Sequence, residues 1–140
     1  MTRRQAIAPS PLLGLLLAVS MGCVAQPPAA EIPFPTYGPM SGEPTGILKG
    51  KLVLEGRCLA IDVGGLRYVA LWPAATSPRT MDGSIAVTNR DGQLLVRLGE
   101  TATFGGGEYK DPAFVEELVG TLPEGCDAER YWLVTAITRT

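Results

Sequence analysis

The sequence contains no histidine. That removes the usual general base of Ser/His/Asp and Cys/His sites and the commonest nitrogen ligand of zinc. Cysteine is scarce: three in 140 residues, at Cys23, Cys58 and Cys126, with no CxxC spacing. A zinc site is not expected, and no cofactor is expected. An excess of positive charge is also missing, with 12 Lys and Arg against 14 Asp and Glu. Nucleic acid, which rewards a basic face, is not an expected partner. Nor is there a long hydrophobic run. The longest, Leu12 to Val19, holds eight residues, where a membrane-spanning helix needs about 20.

What is present begins with that short run. Arg3-Arg4 precedes it and Ser20-Met21-Gly22-Cys23 follows. A basic start, a short apolar middle and a small-residue exit form a secretory signal. Ser20-Met21-Gly22-Cys23 is similar to the bacterial lipobox, in which a small residue precedes a cysteine that receives diacylglycerol. Cleavage after Ala25 is the alternative. With the signal removed, ten cations face 14 acids and the net charge becomes −4. No polybasic patch is left to bind anionic lipid, so a lipid on Cys23 is the expected membrane anchor. Val24 is not an aspartate, which in a two-membrane cell resembles the signal for the outer one. Under either cleavage, Cys58 and Cys126 remain as an even pair in an oxidising compartment, and a disulfide between them is predicted. Two buried free thiols are the competing reading.

The chain is expected to divide into a signal at 1–22, a proline-rich tether at 23–45 and a β domain at 46–140. Six prolines between Gln26 and Thr45 remove backbone donors and favour extended geometry, so neither sheet nor helix is predicted there. From Gly46 the residues alternate. Leu48, Leu52 and Leu54 share one face of a strand; Leu59, Ile61 and Val63 share a face of the next; Tyr68, Ala70 and Trp72 are in register on a third. Gly64-Gly65 and Asp91-Gly92 signal hairpins. Ala74 to Asp82 reads as a loop. Ser84–Asn89, Gln93–Leu98, Thr101–Phe104 and Tyr131–Thr138 read as further strands. One helix is predicted, with Asp111 as its cap, Pro112 in its first turn and Gly120 as its stop. The fold class is all-β: a small Greek-key, OB-like barrel of six to seven strands with one short helix. A small sandwich is the alternative.

Candidate chemistry is sparse. Gly105-Gly106-Gly107 lacks the lysine of a phosphate loop and is followed by Glu108, so a sharp turn or bulge is expected, with the loop as a rim of a binding site. Glu108 and Asp111, with Glu100, offer carboxylates for hydrolysis. Trp72 and Trp132, with Tyr68 and Tyr131, offer a stacking platform for sugars, or else fill the core. The ligand rim thus comprises Trp72, Gly105, Gly106, Gly107, Glu108 and Trp132.

Several strings then form a pattern: Gly56-Arg57-Cys58-Leu59; Tyr68 to Pro73, ending Trp-Pro; Gly92 to Glu100; Gly105-Gly106-Gly107-Glu108; and Cys126 shortly before Tyr131-Trp132. This resembles a group of small bacterial secreted proteins and lipoproteins of unknown function. The resemblance spans most of residues 47–138 and implies a β domain with paired cysteines, not an activity. The expected function is that of a non-enzymatic cell-envelope lipoprotein, a binding or structural module for an envelope protein or small ligand. The alternatives are a carboxylate-dependent hydrolase and a glycan-binding barrel.

Overall fold

A computed structural model describes residues 26–140. The signal at 1–22, Cys23 and the cleavage site at Ala25 lie outside the described residues. Nine strands and one α-helix are present among those described: β1 Thr36–Tyr37, β2 Gly46–Glu55, β3 Cys58–Val63, β4 Leu66–Pro73, β5 Ser77–Met81, β6 Ser84–Thr88, β7 Leu94–Arg97, β8 Thr101–Tyr109, α1 Pro112–Val119 and β9 Tyr131–Arg139.

Five of these strands close a ring. β2 pairs antiparallel with β3 and with β8, β3 with β4, and β8 with β9. β4 then pairs parallel with β9, from Val69↔Tyr131 to Leu71↔Leu133. The spatial order β2-β3-β4-β9-β8 is the Greek-key connectivity of a small OB-type barrel. β2 serves two neighbours by bending at Gly50. Its lower half pairs with β8 and its upper half with β3. A Cβ at Gly50 would stand 2.6 Å from the Asp62 carbonyl oxygen, so only glycine permits the approach.

The alternation read from the sequence points side chains as expected. Leu52, Leu59, Ile61, Ala70, Trp72, Phe104, Trp132 and Val134 fill the barrel. The opposite faces of β3, β4 and β9 send out Cys58, Val69, Leu71, Tyr131 and Leu133, which form a second core beneath the β8–β9 connection. α1 lays Val115 onto that core. Its cap is the one predicted: Asp111 Oδ1 accepts from the Ala113 amide at 3.0 Å, Pro112 opens the helix and Gly120 ends it with φ 79°.

β5, β6 and β7 form a separate three-stranded antiparallel sheet. Ile85, Val87 and Val96 from this sheet enter the barrel core. Amide bonds from Leu98 to the Ile85 carbonyl (2.9 Å) and from Gly99 to the Leu52 carbonyl (2.7 Å) tie it to the ring. It therefore caps the mouth formed by the C-terminal ends of β2 and β4 and the start of β8. β5 corrects the loop expected at 74–82. Pro78 is tolerated because β5 is an edge strand of its sheet.

A second correction concerns Gln26 to Thr45, where no regular structure was expected. Ala29–Glu31 forms a 3₁₀ turn against β5, and Thr36–Tyr37 runs parallel to Trp72–Pro73. Between them Ile32 is buried in the barrel core and Phe34 packs on it. The alternation of Ile32 and Phe34 with Pro33 and Pro35 makes an extended strap with one apolar face, and the apolar gain outweighs the donors that proline lacks. The Trp72 amide supplies one bond, to the Pro35 carbonyl at 2.9 Å. Among the described residues no helix is long and apolar enough to cross a membrane.

Candidate functional site

The predicted disulfide joins Cys58 to Cys126, with Cα atoms 5.2 Å apart and 68 residues between them in sequence. Both half-cystines are fully buried. The bond fixes the end of the β8–β9 connection to the start of β3. Beside it, Gly125 packs against the Arg57 side chain in the β2–β3 turn. The Ala128 amide donates to the Tyr131 hydroxyl at 2.9 Å, and the Val69 amide donates to the Arg130 carbonyl at 3.0 Å. The segment 126–130 is thus held at both ends and in the middle.

Between that segment and the outer face of the barrel lies an open cleft of about 300 Å³. Glu55 and Arg67 form its strand wall and Val69 its apolar floor; Asp127, Glu129 and Arg130 form the loop wall. The Arg67 guanidinium bridges two carboxylates. It donates to Glu55 and, at 3.1 Å through Nε, to Asp62 Oδ2. Ala60 stands between Val53 and Val69 in the register and is small enough for the arginine to cross the sheet above it. Asp62 also accepts from the Gly65 amide at 3.1 Å. The amide first, and the guanidinium second, hold its carboxyl below the usual range. Arg130 lies 3.6 Å from Glu129. The cleft presents two guanidinium groups and three carboxylates above an aliphatic floor. Chemically it can meet a polar ligand that carries both signs of charge.

In OB-type barrels the outer face of the second and third strands and the two loops at its border form the usual contact surface. Here those strands are β3 and β4. The loops are Gly56–Arg57 and the long connection from Lys110 to Arg130, so the cleft occupies that surface.

The residues expected to form a rim are neighbours on β4, β8 and β9, but their two indoles do not face solvent. Trp72 is fully buried and Trp132 is 6% exposed, so neither offers a ring face to a ligand. They fill the barrel, because β4 and β9 turn alternate residues inward. Phe34 stacks on Trp72, and Tyr68 meets Trp132 edge to face at 6.2 Å. Both indole N–H groups lack a hydrogen-bond partner. Gly105, Gly106 and Gly107 lie inside β8, not in a loop. The expected bulge is present between Gly105 and Gly106. Gly106 is buried where β8 crosses β9, and a Cβ there would lie 1.7 Å from the Leu133 carbonyl oxygen.

Of the three candidate carboxylates, Glu100 lies apart from Glu108 and Asp111. Glu100 and Glu108 border opposite ends of β8, about 25 Å along an extended chain. Glu108 pairs with Lys110 at 3.6 Å, Asp111 caps α1, and Glu100 takes a two-pronged contact from Arg139 at 2.7 and 2.9 Å. Hydrogen bonding to Arg139 holds the Glu100 carboxyl below the usual range, the opposite of what a general acid needs.

Sequence reading did not single out Glu55, Arg67, Asp127 or Arg130. Glu55 and Arg67 are isolated charges on separate strands, Asp127 and Arg130 belong with Glu129 to one loop, and only the barrel closure and the disulfide bring the strand pair and the loop together. No protein-family model, no curated protein and no solved structure matches the chain.

Proposed function

We propose that the protein is an exported, lipid-anchored envelope protein whose disulfide-stapled barrel is a binding module, with the mixed-charge cleft as its contact site. The observation that carries this reading is the Cys58–Cys126 bond. It is fully buried, it positions the loop wall of the cleft, and bonds of this kind persist in oxidising compartments. The signal-like start, Cys23 after a small residue and the resemblance to small bacterial secreted proteins agree with it. The partner is a polar ligand or an envelope-protein segment bearing both amino and carboxylate groups. Arg67 and Arg130 take the carboxylate, and Asp127 and Glu129 take the amine.

The glycan reading loses its stacking platform to the barrel core, and the hydrolase reading finds Glu100 bound to Arg139, Asp111 capping the helix and Glu108 paired with Lys110. Mass spectrometry of the native mature protein without reduction tests the compartment. The expected species starts at Cys23, carries acyl mass and has no reactive thiol at 58 or 126. A chain with the signal retained and both thiols reduced would overturn the proposal. The cleft is tested by amide chemical shifts on adding envelope-derived peptides. Shifts at 67–69 and 127–130 that vanish in R67A/R130A are expected, and shifts confined to another face would refute this site.

A further inference from the structure

Resting on the lipid-anchor reading of Cys23, we infer that the capping sheet β5–β7 is the lipid-facing surface of the domain, with the cleft on the side wall of the barrel. The argument begins with chain length. Only five residues separate Cys23 from Ala29, which is buried against the capping sheet in the 3₁₀ turn next to β5. Six peptide steps reach at most about 20 Å. A domain of this size is about 35 Å across. The strap from Ala29 to Tyr37 is part of the barrel, so it cannot lengthen the leash without pulling Ile32 and Phe34 out of the core. The proline-rich stretch therefore does not hold the domain off the bilayer, because most of it is already packed.

The direction follows from where the strap enters. It reaches the barrel at the mouth capped by β5–β7. The cleft runs along the barrel wall from Glu55, at the capped end of β2, to Arg67 and Arg130 at the N-terminal ends of β4 and β9, so it borders the cap without being covered by it. Charge is compatible with this orientation. Around the cap, Arg79, Arg90 and Arg97 balance Glu31, Asp82 and Asp91, with Arg97 at 3.4 Å from Asp82. The net −4 of the mature chain lies wholly on the rest of the domain. An anionic bilayer repels that remainder more than it repels the cap. Arg79 and Arg90 are exposed and, among the described residues, have no carboxylate within salt-bridge distance, which leaves two guanidinium groups for lipid phosphates.

Hydrogen exchange of the full-length, lipidated protein tests this. It is compared in phosphatidylglycerol–phosphatidylethanolamine vesicles and in detergent. Amides of the two cap turns, 82–84 and 90–93, are expected to slow by about an order of magnitude in vesicles, with 127–130 unchanged. Inserting ten Gly and Ser residues between Ala25 and Gln26 should abolish the effect with the acyl mass intact. An acylated chain without cap protection, or with protection on the Lys49–Lys51 face or at the cleft, overturns the orientation alone. Protection that survives the insertion overturns the short-leash argument. A chain without acyl mass on Cys23 overturns the anchor and the surface together.

Discussion

Phe34 lies nearly parallel to the Trp72 indole, with ring centroids 5.2 Å apart and planes 10° from one another. One ring comes from a segment rich in proline, the other from the C-terminal end of β4. Their stacking joins the strap to the capped mouth. Phe34→Ala removes the stack and opens the mouth above Trp72. Because Phe34 is only partly buried, the cost is expected at about 2 kcal/mol, below the full core value. A lowered urea midpoint with unchanged slope would confirm it. A neutral result would show that the strap contributes nothing to the fold.

The disulfide closes a 68-residue separation. On the chain-entropy model this is worth about 4 kcal/mol. C58A/C126A should lower stability by up to that amount and, as a distinct effect, loosen the 126–130 segment. Native-state hydrogen exchange reads the second effect directly: faster exchange at 127–130 with the barrel amides still protected at matched global stability. Exchange that rises uniformly would count against a local role.

Both Gly106 and Gly64 have positive φ, 150° and 60°, but only Gly106 is also crowded. At Gly106 a Cβ would collide with the Leu133 backbone, whereas at Gly64 it would meet nothing within 4 Å. G106A is expected to cost more than about 3 kcal/mol. G64A pays only for its positive φ of 60°, about 1 kcal/mol. Thermal melts of the pair decide this, and similar losses would mean that the β8–β9 crossing can relax.

Tyr37 sets an alkaline limit. Its hydroxyl donates to the Val134 carbonyl. Burial first, then Glu43 and Tyr109, push its pKa up to about 12. A phenol whose folded pKa lies above the unfolded value of about 10 stabilises the fold fully below pH 10. That contribution is lost as pH rises from about 10 to about 12. Y37F should flatten the alkaline fall in urea midpoint, at a cost of about 1 kcal/mol at neutral pH for the carbonyl left unpaired. A wild-type alkaline profile in the variant would refute the assignment.

Glu100 and Asp62 set the acid side. Both carboxyls titrate below their usual range, Glu100 through Arg139 and Asp62 through the Gly65 amide and Arg67. Depressed folded values give stability that is present above about pH 4 and lost as pH falls through them. These groups are near the surface, so the effect is small and weakens with salt. E100Q should reduce the acid slope between about pH 5 and 3, measured at low ionic strength.

How legible all this was in the sequence depended on range. The helix was readable because its signals are local: Asp111, Pro112 and Gly120 act within one or two turns. The cysteine pair was readable by counting. The inward faces of β2, β3 and β4 were readable because a buried strand repeats every two residues. Pro78 hid β5, since proline is a breaker everywhere except at an edge. Gly105-Gly106-Gly107 hid the second half of β8, since a glycine triplet reads as a turn until one sees Leu133 crossing above it. Ile32 and Phe34 did show an alternating signal, masked by the prolines between them. The cleft had no local signal at all, because Glu55, Arg67 and Arg130 meet only through strand pairing and the disulfide.

The parallel pairing of β4 with β9 joins residues about sixty positions apart. The last strand also supplies the second neighbour of β8. The ring therefore cannot shut until β9, which begins at Tyr131, has been synthesised. Until then β4 and β8 each present an open edge, and the polypeptide remains a thread that can still be passed end-first through a narrow opening. A chain ending before Tyr131 would leave a sheet with two sticky borders in place of a barrel.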